Sequence, residues 1–265
     1  MIDSILKICE QKLKYLNYSS RTNEIYLHYI RKFLETVGKY PQHLVSSDFQ
    51  NYLNGYNFSS ISQQNQIINA IKFLYEKALN KKYEKVDFQR PRKERHLPRV
   101  IDKYTLIEKI NNVKNLKHKA ILSIGFSVGL RVSEVCNLKI ADIDSKRGYI
   151  CIKNAKGKKD RFVPLSNNLL TVLREYYKAY HPVDYLFNGQ FSKRYSEGSC
   201  EQIYHTHIDK NTGFHTLRHS AATSILADGG DLMSIQKLLG HNSVKTTMIY
   251  THVTDSMLKK LPLAI

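Results

Sequence analysis

Six side chains with chemical reach fall in four short segments. "GLRVSEVCNL" (residues 129 to 138) carries Arg131 and "KGKKDRFVPL" (156 to 165) carries Lys156. "FHTLRHSAATSILADGG" (214 to 230) carries His215 and Arg218, and "LLGHNSVKTTMIYTHV" (238 to 253) carries His241 and Tyr250. Planar guanidinium groups can clasp a phosphoryl group at two points. A tyrosine hydroxyl becomes a nucleophile near neutrality once a base and positive surroundings offset its usual pKa of about 10. A nucleophile, charge stabilisation on the non-bridging oxygens and a proton for the leaving group are what splitting a phosphodiester requires. Many nucleases supply the charge with two metal ions held by carboxylates. This sequence offers no clustered acidic set, but it has arginines and histidines that could take the metals' place.

Each residue taken alone has an ordinary reading. Arg131 suits a surface or ion-paired side chain, and Lys156 suits a lysine beside a glycine in a turn. His215 and Arg218, three apart at a helix start, concentrate donors and positive charge where an anion would sit. His215 and His219, four apart, also raise a zinc site, but the glutamate of an HExxH pattern is missing, so no metal or other cofactor is expected.

The elements that must hold these residues are mostly helical. "RTNEIYLHYIRKFLETVG" repeats Tyr26, Tyr29, Ile30, Phe33, Leu34 and Val37 at three-and-four spacing, with Gly38 placed as a cap. "SISQQNQIINAIKFLYEKALN" puts Ile67, Ile71, Leu74 and Ala78 on one face, and shorter helices are expected over 3–16 and 47–54. Residues 1–88 therefore read as a helical bundle. "RPRKERHLPR" (90 to 99) holds two prolines and five Lys or Arg with one Glu, and residues 89–99 read as a basic linker. It is either a plain tether or a strand that tracks a DNA backbone through Arg92, Lys93 and Arg95.

From 100 to 265 a second domain is expected. A helix near 103–113 and the apolar "HKAILSIGFSVG" come first. "GYICIKNAKGKKDRFVPL" then alternates about Lys156, Gly157, Lys158 and Lys159 as a β-hairpin with a basic tip. Gly129 ends one helix, and Ser133 and Glu134 suit the first turn of the next. Leu217, Ala221 and Ile225 mark a buried helical face. Asp231 caps "LMSIQKLL", which Gly240 closes, and Ser243 caps "VKTTMIY". The fold class is mainly α with a small β-hairpin or sheet.

Forty-one Lys and Arg against 23 Asp and Glu give a net charge of +18, which favours a polyanionic partner such as nucleic acid. The four cysteines form no CxxC pair, and no apolar run approaches the roughly 18 residues a membrane span needs. A reducing cytoplasm is the expected location.

Taken in order, "GLRVSE", "KGKKDRFVPL", "HTLRHS", "LLGH" and "YTHV" resemble the signature of the tyrosine recombinase (integrase) family over roughly residues 98 to 255. The N-terminal bundle agrees with that family's core-binding domain in architecture. The resemblance implies that Tyr250 attacks a scissile phosphate of double-stranded DNA to form a 3′-phosphotyrosine and release a 5′-hydroxyl. It implies that Arg131 and Arg218 hold the phosphate oxygens, that Lys156 is the general acid, and that His215 is the base or proton shuttle. His241 would donate to the phosphate and Glu134 would orient its neighbours. Lys158 and Lys159, with the linker's basic residues, would touch the DNA backbone.

The resemblance further implies strand exchange through a Holliday junction without ATP or metal, in a homotetramer on DNA assembled from free monomers. Integration or excision, dimer resolution and an integron-type role all remain open. So does the docking of the last fifteen residues, on a neighbouring subunit or on their own domain. A DNA-relaxing type IB topoisomerase is the enzyme alternative, and a non-catalytic DNA-binding protein the other. No additional N-terminal arm-binding domain is expected before the bundle.

Overall fold

The computed structural model describes residues 2–81, 97–153, 160–241 and 243–251. The chain divides into two compact units, Met1–Arg95 and His96–Ile265. The linker residues Arg92, Lys93 and Arg95 and the hairpin-tip residues Lys156, Lys158 and Lys159 lie outside the described residues, as does the tail beyond Thr251.

The first unit is helical. α1 (Ile2–Tyr15), α2 (Ser20–Val37), α3 (Ser46–Gly55) and α4 (Ile61–Phe73) follow one another, and α4 runs on into a π-helical turn, Leu74–Ala78. Ser19 caps α2 by accepting from the Thr22 amide, and Gly38 closes it by donating to the Leu34 carbonyl. The spacing read from the sequence is the spacing that packs. Ile30, Phe33, Leu34, Ile67, Ile71 and Leu74 are buried in one cluster, with Tyr26, Tyr29, Val37 and Ala78 packed partly exposed around it.

The second unit places helices around a small sheet. α5 (Lys103–Asn111), α6 (Leu116–Ser127) and α7 (Val132–Asn137) precede β1 (Ile143–Asp144), β2 (Tyr149–Ile152) and β3 (Arg161–Pro164). The sheet is antiparallel in the order β1-β2-β3, with Ile150 opposite Val163 and Ile152 opposite Arg161. β2 and β3 are the expected hairpin; β1 adds a third strand that the alternation did not mark. α8 (Asn167–Tyr180), α9 (Glu197–His207), α10 (His215–Ala227), α11 (Leu232–Leu239) and the short α12 (Val244–Thr247) follow, and the last element among the described residues is a 3₁₀ turn, Met248–Tyr250.

α6 is apolar around most of its girth because it runs through the middle of the core, where Ala120, Ile121, Leu122 and Ile124 are all buried. Gly125 sets its distance from α10, since a Cβ there would stand 2.7 Å from the Phe214 ring. That close approach seats Phe214 in the core, immediately before the helix that begins with His215.

Candidate active site

The site grows from three helix ends and one strand. Gly129 turns the chain with φ +63°, and Arg131 then occupies the N-cap of α7. Glu134, three residues on, closes back on it: the Arg131 amide donates to Oε2 at 2.9 Å and its Nη1 to Oε1 at 2.8 Å. Acidic charge in a helix's first turn is favoured by the helix dipole, so α7 itself helps to hold this carboxylate.

A second guanidinium meets the same carboxylate. Arg161, opening β3 on the same face as buried Val163, donates from Nη1 and Nη2 to the two Glu134 oxygens, both at 2.8 Å. Its Nε donates to the Leu238 carbonyl at 2.9 Å. Glu134 is 8% exposed, and burial alone would raise its pKa. The hydrogen bonds and charges of Arg161 and Arg131 outweigh that and hold it at about 2. Arg161 stood inside a quoted motif but was not singled out from the sequence.

Arg218, on the first turn of α10, is 1% exposed, and its guanidinium donates to main-chain carbonyls. Nη1 donates to the Gly129 carbonyl at 2.7 Å and Nη2 to the Leu239 carbonyl at 2.6 Å. Burial and the nearby Arg131 lower its pKa to about 10. Two cations crowded together without an equal number of anions form a ready pocket for an anion. The second carbonyl comes from the end of α11, whose first turn Asp231 caps by accepting from the Ser234 amide and which Gly240 closes, as the sequence led us to expect.

Tyr250 sits in the 3₁₀ turn after α12, 1% exposed and packed with Ala222, Leu226, Ile235 and Leu239. Burial raises its pKa, while Arg218 and Arg131 pull the other way. Its ring stacks on His241, with centroids 6.4 Å apart and planes at 11°. His241 bonds through Nδ1 to the Thr247 hydroxyl at 3.0 Å, and burial followed by Arg218 and Arg131 lowers its pKa to about 4. Ser243 does stand at the N-cap of α12, but its side chain makes no capping hydrogen bond.

The hydroxyl of Tyr250 bonds to His219, at 3.0 Å from Nδ1. His215, one turn earlier and open to solvent, packs edge-on against the His219 ring with centroids 4.5 Å apart. Crowding by the surrounding protein, then Arg218 and Arg131, lowers its pKa. The structure therefore brings Arg131, Glu134, His215, Arg218, His241 and Tyr250 into one neighbourhood and adds Arg161 and His219. His219 had been weighed only as a zinc ligand. The helical wheel put it beside His215, but which imidazole meets Tyr250 depends on how α12 docks.

Comparisons with known proteins identify the family. The model of the phage integrase family matches residues 101–257, and that of a phage integrase N-terminal SAM-like domain matches residues 5–85. The chain belongs to the phage integrase family. Among its relatives, the tyrosine recombinase XerA of Pyrococcus horikoshii is 33% identical over 91% of this chain and 86% of its own. A putative integrase/recombinase of Sinorhizobium fredii is 32% identical over 91% of this chain and 81% of its own.

A crystal structure of XerA recombinase is 30% identical with a TM-score of 0.56, covering 98% of this chain and 96% of that one. The fold alone is shared with XerH bound to its difH substrate after cleavage (TM-score 0.73, 23% identity, 98% of this chain and 83% of that one). This phage integrase family member is a tyrosine site-specific recombinase, and the comparisons carry that reading rather than the topoisomerase one. Among the described residues, no helix is long and apolar enough to cross a membrane.

Proposed function

We propose that this recombinase cuts and rejoins double-stranded DNA through Tyr250, forming a 3′-phosphotyrosine. The observation that carries the reading is the position of Tyr250, whose hydroxyl lies within the electrostatic reach of Arg218 and Arg131 and against an imidazole. Arg131 and Arg218 clasp the non-bridging oxygens and stabilise the charge that builds on them. Arg161 and Glu134 keep the first of these in place. His241 donates to the phosphate, and His215 serves as a proton shuttle near it. Lys156, at the hairpin tip, protonates the leaving 5′-oxygen.

We take 1–88 as the DNA core-binding domain, 89–99 as the linker and 100–265 as the catalytic domain. Arg92, Lys93, Arg95, Lys158 and Lys159 contact the backbone. Because the covalent link stores the phosphodiester energy, a 5′-hydroxyl of another strand can reopen it. Four such exchanges in a tetramer, through a Holliday junction, recombine two duplexes in the cytoplasm. Relatives solved on DNA support a DNA partner.

The test is covalent capture. A nicked suicide duplex, selected from random-sequence DNA by covalent attachment to the wild-type chain, should yield a protein–DNA adduct on a denaturing gel. Tyr250→Phe should bind that duplex almost normally and give no adduct. An adduct that persists in Tyr250→Phe would remove Tyr250 as the nucleophile.

A further inference from the structure

A phenol passes its proton to a group that touches its hydroxyl, and at Tyr250 the structure places His219 there. His219 directly follows Arg218 on α10, so one helical turn fixes both the clasp and this contact. The two rings meet with centroids 5.6 Å apart and tilted at 53°, while His241 stacks on Tyr250 at 6.4 Å. The Tyr250 ring is thus flanked by two imidazoles on separate elements, and its hydroxyl lies 3.0 Å from Nδ1 of His219, the distance of a hydrogen bond.

We propose that His219, rather than His215, accepts the phenolic proton as Tyr250 attacks the phosphate. The inference rests on Tyr250 being the nucleophile, as proposed above. The Tyr250 O–H bond breaks and its proton passes to Nδ1 of His219, whose own proton sits on Nε2. The oxygen electron pair forms the new O–P bond. The P–O5′ bond breaks, and the leaving oxygen takes a proton from Lys156. On rejoining, the 5′-hydroxyl attacks, its proton returns to Lys156, and His219 gives its proton back to Tyr250. His215, relieved of the base role, is free to donate to the phosphate.

The charges around His219 suit this use. Burial, then His215 and Arg218, lower its pKa to about 4, so in the DNA-free chain at neutral pH it is neutral and able to accept. Burial meanwhile keeps the phenol protonated. The resting pair therefore does not exchange its proton. A phosphodiester seated between Arg131 and Arg218 brings a negative charge that offsets the cations depressing His219. Its proton affinity then rises when the substrate arrives.

The test uses the full-length protein and the selected suicide duplex, comparing His219→Ala and His219→Gln with wild type. Glutamine can still accept a hydrogen bond but cannot take up the proton. Both variants should form adduct slower by on the order of 100-fold, with DNA affinity little changed. Replacing Tyr250 by 3,5-difluorotyrosine, a more acidic phenol, should shrink the His219→Gln deficit by roughly tenfold, because an acidic nucleophile leans less on its acceptor. A wild-type rate in either variant, full rescue by glutamine, or a deficit that fluorination leaves untouched would overturn the proposal. Adduct formation by Tyr250→Phe would instead overturn the reading on which it rests.

Discussion

Glu134 binds two guanidinium groups with one carboxylate, and the site's response to acid follows from it. Its folded pKa of about 2 lies below the ordinary 4.5, so its stabilisation is present above about pH 4.5 and is lost as pH falls toward 2. His219 and His241 act higher on the scale. Their pKa values are lowered from 6.5 to about 4, so the unfolded chain takes up protons first, and stability drains away as pH falls from 6.5 toward 4. The thermal midpoint of the DNA-free chain should therefore fall in two stages on acidification, and Glu134→Gln should make the lower one shallower. At pH 7, Glu134→Gln should cost about 3–5 kcal/mol in urea unfolding, the scale for breaking a buried pair by removing one partner. The family resemblance implied that Glu134 orients its neighbours, and the sequence placed it in the first turn after Arg131. It gave no sign of Arg161, whose pairing with Glu134 spans 27 residues and exists only once β3 lies beside α7.

Elements converge on the site through the ends of helices. The carbonyls that hold Arg218 belong to the turn before α7 and to the last turn of α11, so the clasp reports on how α10 packs between them. Gly129 tests this: its φ is +63°, and an added Cβ would lie 2.8 Å from Leu239 Cδ2. Gly129→Ala should destabilise the chain by about 1–3 kcal/mol, measured by thermal unfolding. It should also slow adduct formation by more than the unfolded fraction explains, because the Gly129 carbonyl moves with the turn. At this scale the sequence was most informative. The three-and-four spacing in α2 and α4, the Asp231 cap and the Gly240 stop all correspond to elements in the fold. β1, only two residues long, carries no period to read, and α12 yields to a 3₁₀ turn just before Tyr250 because tertiary packing, not a Ser243 cap, holds that segment.

Across the whole molecule, two units each enclose their own hydrophobic cluster, and the chain carries a charge of +18. A protein that neutralises several phosphates releases their counterions, and affinity then falls with salt at a log–log slope of roughly −0.9 per contact. Titrating the selected duplex against Tyr250→Phe at rising salt should give a slope of about −4 or steeper. A flat dependence would mean that the surplus lysines and arginines do not face the duplex. The excess charge was visible in composition alone. The burial of Tyr250 was not, because its cover comes from residues on α10 and α11 that no local spacing connects to it.

The two arginines of the clasp are anchored in different ways, and this divides their tolerance of genetic drift. Arg218 is held by peptide carbonyls, which every residue type supplies, so its anchor depends on the path of the backbone rather than on a partner side chain. The Arg131 side chain is held by the carboxylate of Glu134, which Arg161 also grips while its own Nε donates to the Leu238 carbonyl. In a population of variants, inactivating changes on the Arg131 side of the clasp would collect at one codon. On the Arg218 side they would spread over whatever bends the backbone.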